Sequence, residues 1–232
     1  MYKRGCQEVD LAGKVYAIIL GQMSKRSLEQ RIAAEISQVK FFGQSYRQEI
    51  DEVLTEAGSP PISQLGTPLC LDVEFGREIV ALGGQYPDMV AAEPIIYDDP
   101  YFELRNEEIV TAVLNEIGKG VTIIRKYAGP AIKSLPPEKK FGLVTWLEIF
   151  PSSFSNQEYF LSVAAMAMQH LTEGGAMIAS AAENDSETRN IFAEIARLIP
   201  EKIPAATAKF IETTPRGNGC IFIVARKSSG GN

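Results

Sequence analysis

Two acidic residues each follow a short apolar run of the sequence. Asp72 lies in LCLDV and Glu93 in MVAAEP, so the two carboxylates are 93 − 72 = 21 residues apart. In α/β folds a carboxylate about 20 residues beyond the first strand accepts hydrogen bonds from ribose hydroxyls. Two simpler interpretations stay open: Asp72 as a helix cap, and Glu93, before Pro94, as an exposed loop charge. The pair predicts a ligand site at the ends of two strands.

Other residue types that commonly carry chemistry form no such pattern. His170, the single histidine, lies in an amphipathic stretch and is interpreted as a packed or surface residue. A Ser/His/Asp or Cys/His nucleophilic site therefore lacks its base. Cys6, Cys70 and Cys220 are far apart and fit neither a disulfide framework nor a zinc-binding spacing. We expect no metal site.

The charge balance and the hydropathy limit the partners. Lys plus Arg number 23 and Asp plus Glu number 29, giving a net charge of −6. A negative surface repels phosphate backbones, and no dense Lys/Arg run offsets it, so we expect no nucleic acid as a partner. No apolar stretch approaches the roughly 20 residues that cross a bilayer, and no signal peptide is evident. We expect a cytoplasmic protein without membrane contacts.

Short apolar runs alternate with amphipathic stretches from about residue 65 onward. This alternation predicts βαβ units and a mainly parallel sheet with helices on both faces. The runs KFIETTP and CIFIVARK flank RGNG and predict a closing antiparallel hairpin. Earlier in the chain, apolar residues from Leu28 to Val39 recur at helical steps, and three prolines follow. We therefore divide the chain into a helical extension at 1–64 and an α/β domain at 65–232.

Three ordered segments resemble motifs of the class I S-adenosylmethionine (SAM)-dependent methyltransferases. LCLDVEFGREIVALGGQYPDMVAAEP is similar to the first motif, in which a strand, an acid, a glycine turn, a helix and a second acid-ended strand follow one another. KKFGLVTWLEIFP resembles the fourth-strand motif through Thr145, Leu147 and Glu148, with Gly142 where an Asp is usual. HLTEGGAMIAS resembles the turn into the fifth strand.

The resemblance spans about residues 66–228 and implies a fold. That fold is a Rossmann-like α/β class I methyltransferase fold with a mainly parallel seven-stranded sheet and a C-terminal antiparallel hairpin. The N-terminal helical extension would form a lid over the substrate side.

The glycine turn departs from the family pattern. Where GxGxG is usual, the chain has Glu74-Phe75-Gly76-Arg77-Glu78, so only the middle glycine is present. Carboxylates here are compatible with the amino and sulfonium groups of SAM but not with the pyrophosphate of NAD, which disfavours a dehydrogenase. Two interpretations of Glu74 and Glu78 stay open: a pocket that no longer binds SAM, or solvated residues of a rearranged loop.

The resemblance also implies which residues contact the cofactor. They lie at the ends of the first four strands: Asp72, Glu74, Gly76, Glu93, Tyr127, Ala128, Thr145 and Trp146. Tyr127 either stacks on adenine or packs at a strand end, and Trp146 is a pocket wall or a core residue. Glu148 is the single catalytic candidate, as a proton acceptor, with a charge at a helix start as the alternative.

The implied function is methyl transfer from SAM to an oxygen, nitrogen or carbon of a small-molecule acceptor, leaving S-adenosylhomocysteine (SAH). The acidic surface and the helical extension favour a small acceptor. Two alternatives remain, a degenerate methyltransferase-fold protein that serves as a binding or scaffold subunit, and a non-methylating reaction in the same pocket. A homodimer is compatible with each of these.

Overall fold

The computed structural model describes residues 27–73, 76–82, 89–92, 107–149, 156–181, 185–204, 206–213 and 220–227, and the structural statements below concern these residues. They form seven strands and seven helices. The strands are β1 (Pro68–Leu71), β2 (Val90–Ala92), β3 (Thr122–Ile124), β4 (Phe141–Ile149), β5 (Leu171–Ala181), β6 (Ala206–Thr213) and β7 (Cys220–Lys227). The helices are α1 (Leu28–Glu56), α2 (Ile62–Leu65), α3 (Arg77–Leu82), α4 (Glu107–Ile117), α5 (Ala128–Lys133), α6 (Gln157–His170) and α7 (Ser186–Lys202).

The seven strands form one sheet in the order β3-β2-β1-β4-β5-β7-β6. The neighbours from β3 to β5 pair in parallel, whereas β7 is antiparallel to both β5 and β6. The β6–β7 pairing runs from Ala206 opposite Lys227 to Thr213 opposite Cys220. The predicted fold class, including the C-terminal antiparallel hairpin, is confirmed.

Each face of the sheet carries its own hydrophobic core. All four residues of β1 are buried because helices cover both sides, as is usual for a parallel sheet. Leu71 and Trp146 belong to the core under α5, α6 and α7, and Cys70 and Leu143 to the core under α1, α3 and α4. No helix in the described ranges is long and apolar enough to cross a bilayer.

Helix α1 is one continuous helix of 29 residues. It begins with a capping box, in which the Ser27 hydroxyl accepts from the N–H of Gln30 and the Gln30 side chain accepts from the N–H of Ser27. Its second half buries Ile50, Val53 and Leu54 in the same core as α3 and α4. The boundary between residues 64 and 65 and the lid role stay predictions, and residues 1–26 lie outside the described residues.

Gly142, the second residue of β4, directly contacts the backbone of α2. Its N–H donates to the carbonyl of Thr67 at 2.9 Å. A Cβ atom at Gly142 would lie 1.1 Å from the carbonyl oxygen of Leu65, so no side chain fits. This contact explains why glycine stands where the methyltransferase motif usually has an Asp.

Candidate cofactor site

The strand order fixes where a ligand can bind. From β1 the chain continues through β2 and β3 on one side and returns to β4 on the other, so the order reverses between β1 and β4. Open α/β sheets bind ligands beyond the carboxyl ends of the strands at such a reversal. Asp72 is the first residue after β1, and its neighbour Leu71 pairs with Trp146 of β4. The sequence therefore placed Asp72 at the correct edge of the sheet.

The Asp72 carboxylate joins three elements. Its Oδ2 accepts a hydrogen bond from Trp146 Nε1 at 2.8 Å, and its Oδ1 accepts from the backbone N–H of Ala128, the first residue of α5, at 3.2 Å. The φ angle of Asp72 is +51°, in the left-handed region that Asp tolerates better than most residues. This turn of the backbone lets the carboxylate reach both donors.

Burial raises the pKa of Asp72 to about 6, while the hydrogen bonds from Trp146 and Ala128 oppose the rise. No described Lys or Arg forms an ion pair with the carboxylate. A carboxylate has about four acceptor positions, and two are used here. The site is therefore suited to a further donor, and best to one that carries positive charge.

Aromatic side chains pack against Trp146, the side-chain partner of this carboxylate. Trp146 stacks on Phe160, with ring centroids 5.1 Å apart, and meets Tyr159 edge-on at 6.3 Å. Tyr159 and Tyr127 are 37% and 47% exposed. Burial, the negative charge of Asp72 and Tyr127 raise the pKa of Tyr159, while a hydrogen bond from the Gly129 N–H opposes the rise. Tyr159 thus lies near the Asp72 charge, and Tyr127 directly precedes Ala128, whose N–H donates to Asp72.

Sequence reasoning missed Tyr159, although a signal was present. Asn156 caps α6, its side-chain oxygen accepting from the N–H of Tyr159 at 3.1 Å. Asn is a favoured N-cap residue, so Asn156 could have been used to predict that the helix begins at Gln157 and that Tyr159 lies in its first turn. Helix α6 follows β4, so its first turn lies near the carboxyl ends of the strands.

Three residues from the methyltransferase-like motifs, Thr145, Gly76 and Glu78, lie on the opposite side of the sheet from Trp146. Thr145 is fully buried and pairs with Cys70. A Cβ atom at Gly76 would lie 2.7 Å from Ile117 Cδ1, so this glycine permits close packing of α4 and a φ of +79°. Glu78 is only 5% exposed, which excludes the solvated interpretation of this residue. Burial, followed by the charge of Glu78, raises the pKa of the Cys70 thiol.

The side chains of three further predicted residues are not described. Glu74 and Glu93 lie outside the described residues, and Glu148 lies in β4 but its side chain is not described. Their roles stay predictions.

His170 is 8% exposed, and its Nδ1 lies 2.9 Å from the carbonyl oxygen of Lys139 at the amino end of β4, so the packed interpretation is confirmed. Among the described side chains, no three His, Cys, Asp or Glu residues converge on a metal position.

Neither a family model nor a curated protein sequence matches the chain. Solved structures do match. A putative rRNA-methylase from Clostridium thermocellum has a TM-score of 0.53 and 13% identity, covering 72% of this chain and 89% of its own. A SAM-dependent methyltransferase from Clostridium acetobutylicum has a TM-score of 0.53 and 10% identity, covering 80% and 92%. A putative methyltransferase from Streptococcus mutans, in complex with SAH, has a TM-score of 0.51 and 9% identity, covering 70% and 88%.

The chain has the fold of the class I SAM-dependent methyltransferases. The resemblance seen in the sequence is confirmed at this level, since a seven-stranded sheet of this order and these structures agree. At such low identity the likeness establishes the fold alone.

The expectation that nucleic acid is excluded as a partner is wrong. A structure described as a putative rRNA-methylase has this fold, so the fold is compatible with an RNA partner. The net charge of −6 was an insufficient ground because phosphate contacts depend on the local charge of one surface rather than on the sum over the chain.

Proposed function

We propose that the protein binds SAM at the carboxyl ends of β1 and β4 and transfers its methyl group to a small-molecule acceptor. One observation carries this proposal. The partly buried Asp72 carboxylate, held by Trp146 and Ala128 at the strand-order reversal, has a raised pKa and no cationic partner among the described side chains. A positively charged ligand would supply the missing charge.

The described residues fit SAM in chemical character. Asp72 would face its cationic amino or sulfonium group, and Tyr127 would stack on the adenine. Glu93, outside the described residues, would accept hydrogen bonds from the ribose hydroxyls, as its spacing from Asp72 predicts. When bound, SAM supplies an electrophilic methyl group. The chain then has to orient the acceptor and exclude water, tasks that need no nucleophilic residue.

The acceptor would enter beside Tyr159. This ring is 37% exposed, and Trp146 and the Gly129 N–H support it from the protein side. A fixed, half-exposed ring favours a planar or ring-containing small molecule. Glu148 remains the candidate base for a methyl-accepting substrate that must lose a proton.

Calorimetric titration with SAM and SAH tests the cofactor site. We expect micromolar binding of SAM by the wild type and at least tenfold weaker binding by Asp72→Asn. Asp185→Asn is the matched control, because it makes the same acid-to-amide change at the exposed N-cap of α7, where Asn also caps well. Its affinity should equal that of the wild type.

The pH dependence of binding adds a second test. With a pKa of about 6, Asp72 is ionised in roughly one molecule in ten at pH 5 and in nine of ten at pH 7. SAM affinity should therefore rise about tenfold over this range in the wild type, and not in Asp72→Asn. If well-folded protein binds neither SAM nor SAH, the proposal fails, and a binding or scaffold subunit becomes the better account.

A further inference from the structure

Positive charge is concentrated in one segment of the chain. Residues 118–140 contain six Lys or Arg residues and one acid, a net charge of 6 − 1 = +5. The rest of the chain contains 23 − 6 = 17 basic and 29 − 1 = 28 acidic residues, a net charge of −11. We name the six basic residues the basic edge: Lys119, Arg125, Lys126, Lys133, Lys139 and Lys140.

The basic edge begins beside β3, the first strand in the sheet order, and ends just before β4, the central strand. The segment forms β3, which is the first strand in the sheet order, together with α5 and the loop into β4. Arg125 and Lys126 follow the carboxyl end of β3, and Lys133 ends α5. Lys119 and Lys140 precede β3 and β4. The charges therefore extend from the end of the sheet that holds Asp72 to the opposite end.

Four of these cations are available to a partner. Arg125, Lys126 and Lys133 are exposed and form no ion pair with any residue that the structure describes. Lys140 is also exposed, and its Nζ donates to the carbonyls of Pro137 at 3.1 Å and Gln169 at 2.7 Å. Carbonyl partners position the ammonium group without neutralising it. In contrast, Lys119 forms an ion pair with Glu116 at 2.8 Å.

We infer that the basic edge binds RNA through its phosphates. Exposed cations without a carboxylate partner, here Arg125, Lys126 and Lys133, release counterions on meeting a phosphate backbone, and this release supplies most of the affinity for a nucleic acid of any sequence. The segment of net charge +5 within a chain of net charge −6 fits a polyanion that must avoid the remaining surface.

Tyr127 favours RNA over an anionic membrane. It directly follows Arg125 and Lys126 and is 47% exposed, so in the protein without SAM its ring can stack on an unpaired base while its neighbours contact phosphates. A membrane surface would require several exposed Trp, Phe or Leu side chains beside the cations. Within the described residues, the exposed large hydrophobic side chains are Phe41, Tyr127 and Tyr159, which do not form such a set.

Fluorescence anisotropy with a labelled 20-nucleotide single-stranded RNA of mixed sequence tests the inference. The full chain is used without SAM, so the result does not depend on the proposed function. The edge variant combines Arg125→Ala, Lys126→Ala and Lys133→Ala. The control variant combines Arg189→Ala, Arg197→Ala and Lys202→Ala, which removes three exposed positive charges from α7, a helix that packs near β6 at the other side of the sheet.

We expect wild-type binding that weakens steeply between 50 and 200 mM salt. The edge variant should bind at least about tenfold more weakly, and its salt slope should fall by about 2, because each lost single-strand contact contributes roughly 0.7. The control variant should bind within about threefold of the wild type. Circular dichroism and thermal unfolding establish that both variants are folded.

Three outcomes would overturn the inference. The first is no RNA binding by folded wild type at 50 mM salt. The second is an equal loss of affinity in the two triple variants, which would indicate a response to net charge rather than to the edge. The third is binding to phosphatidylglycerol vesicles without binding to RNA, which would assign the edge to a membrane surface.

Discussion

Trp146 donates its indole N–H to the Asp72 carboxylate at 2.8 Å, across the junction between β1 and β4. The indole is buried and stacks on Phe160 of α6, so the packed core of one sheet face fixes the donor. The position of the carboxylate therefore depends on core packing as well as on the turn that follows β1. A candidate ligand group supported in this way is held rigidly.

The stability of the protein should decrease as Asp72 ionises. Its pKa is about 6 when folded and about 3.9 in an unfolded chain, so the native state binds more protons between these values. This contribution is fully present below pH 4 and is lost as the pH rises through 6. We expect the free energy of unfolding of the wild type, relative to Asp72→Asn, to fall by on the order of 2 kcal/mol from pH 4 to pH 7.

Urea denaturation at four pH values between 4 and 7 measures this change. Asp185→Asn is again the control, and it should show the opposite sign. Backbone and side-chain hydrogen bonds from Thr188 lower the pKa of Asp185, so its contribution is present at neutral pH and is lost as the pH falls. A wild-type stability that stays parallel to that of Asp72→Asn at every pH would contradict the prediction.

Replacing Trp146 by Phe should remove its hydrogen bond to the Asp72 carboxylate. Phe keeps an aromatic ring beside Phe160 but has no N–H, so one carboxylate oxygen loses its donor. We expect a loss of about 2 kcal/mol in the free energy of unfolding at neutral pH. The pKa of Asp72 should also rise, because this hydrogen bond lowers it.

A double-mutant cycle separates this bond from the effect of ring size. Trp146→Phe and Asp72→Asn should be non-additive by at least about 1 kcal/mol, because both remove the same interaction. Trp146→Phe combined with Asp185→Asn should be additive within about 0.5 kcal/mol. Additivity in both cycles would mean that the hydrogen bond contributes little to stability.

Gly142→Ala should be among the most damaging single substitutions in the chain. The new Cβ would overlap the carbonyl of Leu65, and backbone atoms on both sides cannot move independently. We expect a loss of more than about 3 kcal/mol or a failure to accumulate folded protein. Gly174→Ala is the comparison, because Gly174 has a φ of +73° and nothing within 4 Å of its Cβ position.

Backbone strain alone should cost Gly174→Ala about 1–2 kcal/mol. Thermal unfolding, followed by circular dichroism, distinguishes the two substitutions. Equal losses at both positions would show that the clash with Leu65 is relieved at little cost, contrary to the prediction.

The sequence predicted the sheet well because its signals are local. Buried parallel strands appear as short apolar runs, and the glycines between β6 and β7 indicate a hairpin. It did not predict which face of the sheet each residue occupies. Thr145 and Trp146 are adjacent in β4 and therefore point to opposite faces, yet both were assigned to one pocket.

The summed charge misled the prediction of partners, and two long-range contacts were not predicted. The summed charge concealed the segment 118–140, whose residues are basic where the rest of the chain is acidic. The contact of Gly142 with Leu65 joins segments 77 residues apart, and no local pattern reveals it. The hydrogen bond between Asp72 and Trp146 spans 74 residues and is equally invisible without the register of β1 and β4.

Leu54→Ala should show whether α1 is part of the domain. Leu54 is fully buried in the core that α1 shares with α3, α4 and the sheet. Removing its side chain should cost about 2–5 kcal/mol, and the loss should appear as one cooperative transition at a lower urea concentration. Ile36→Ala, at a partly buried position of the same helix, should cost less.

The number of unfolding transitions shows whether α1 is an independent unit or part of one cooperative domain. If the division at residues 64 and 65 were a boundary between independent units, Leu54→Ala would melt α1 first, and tryptophan fluorescence from Trp146 would report a later transition than far-ultraviolet circular dichroism. We expect both signals to shift together. Because Leu54 and Leu143 belong to one core, loss of packing at α1 leaves one face of the sheet uncovered. The fold would then unfold as a unit.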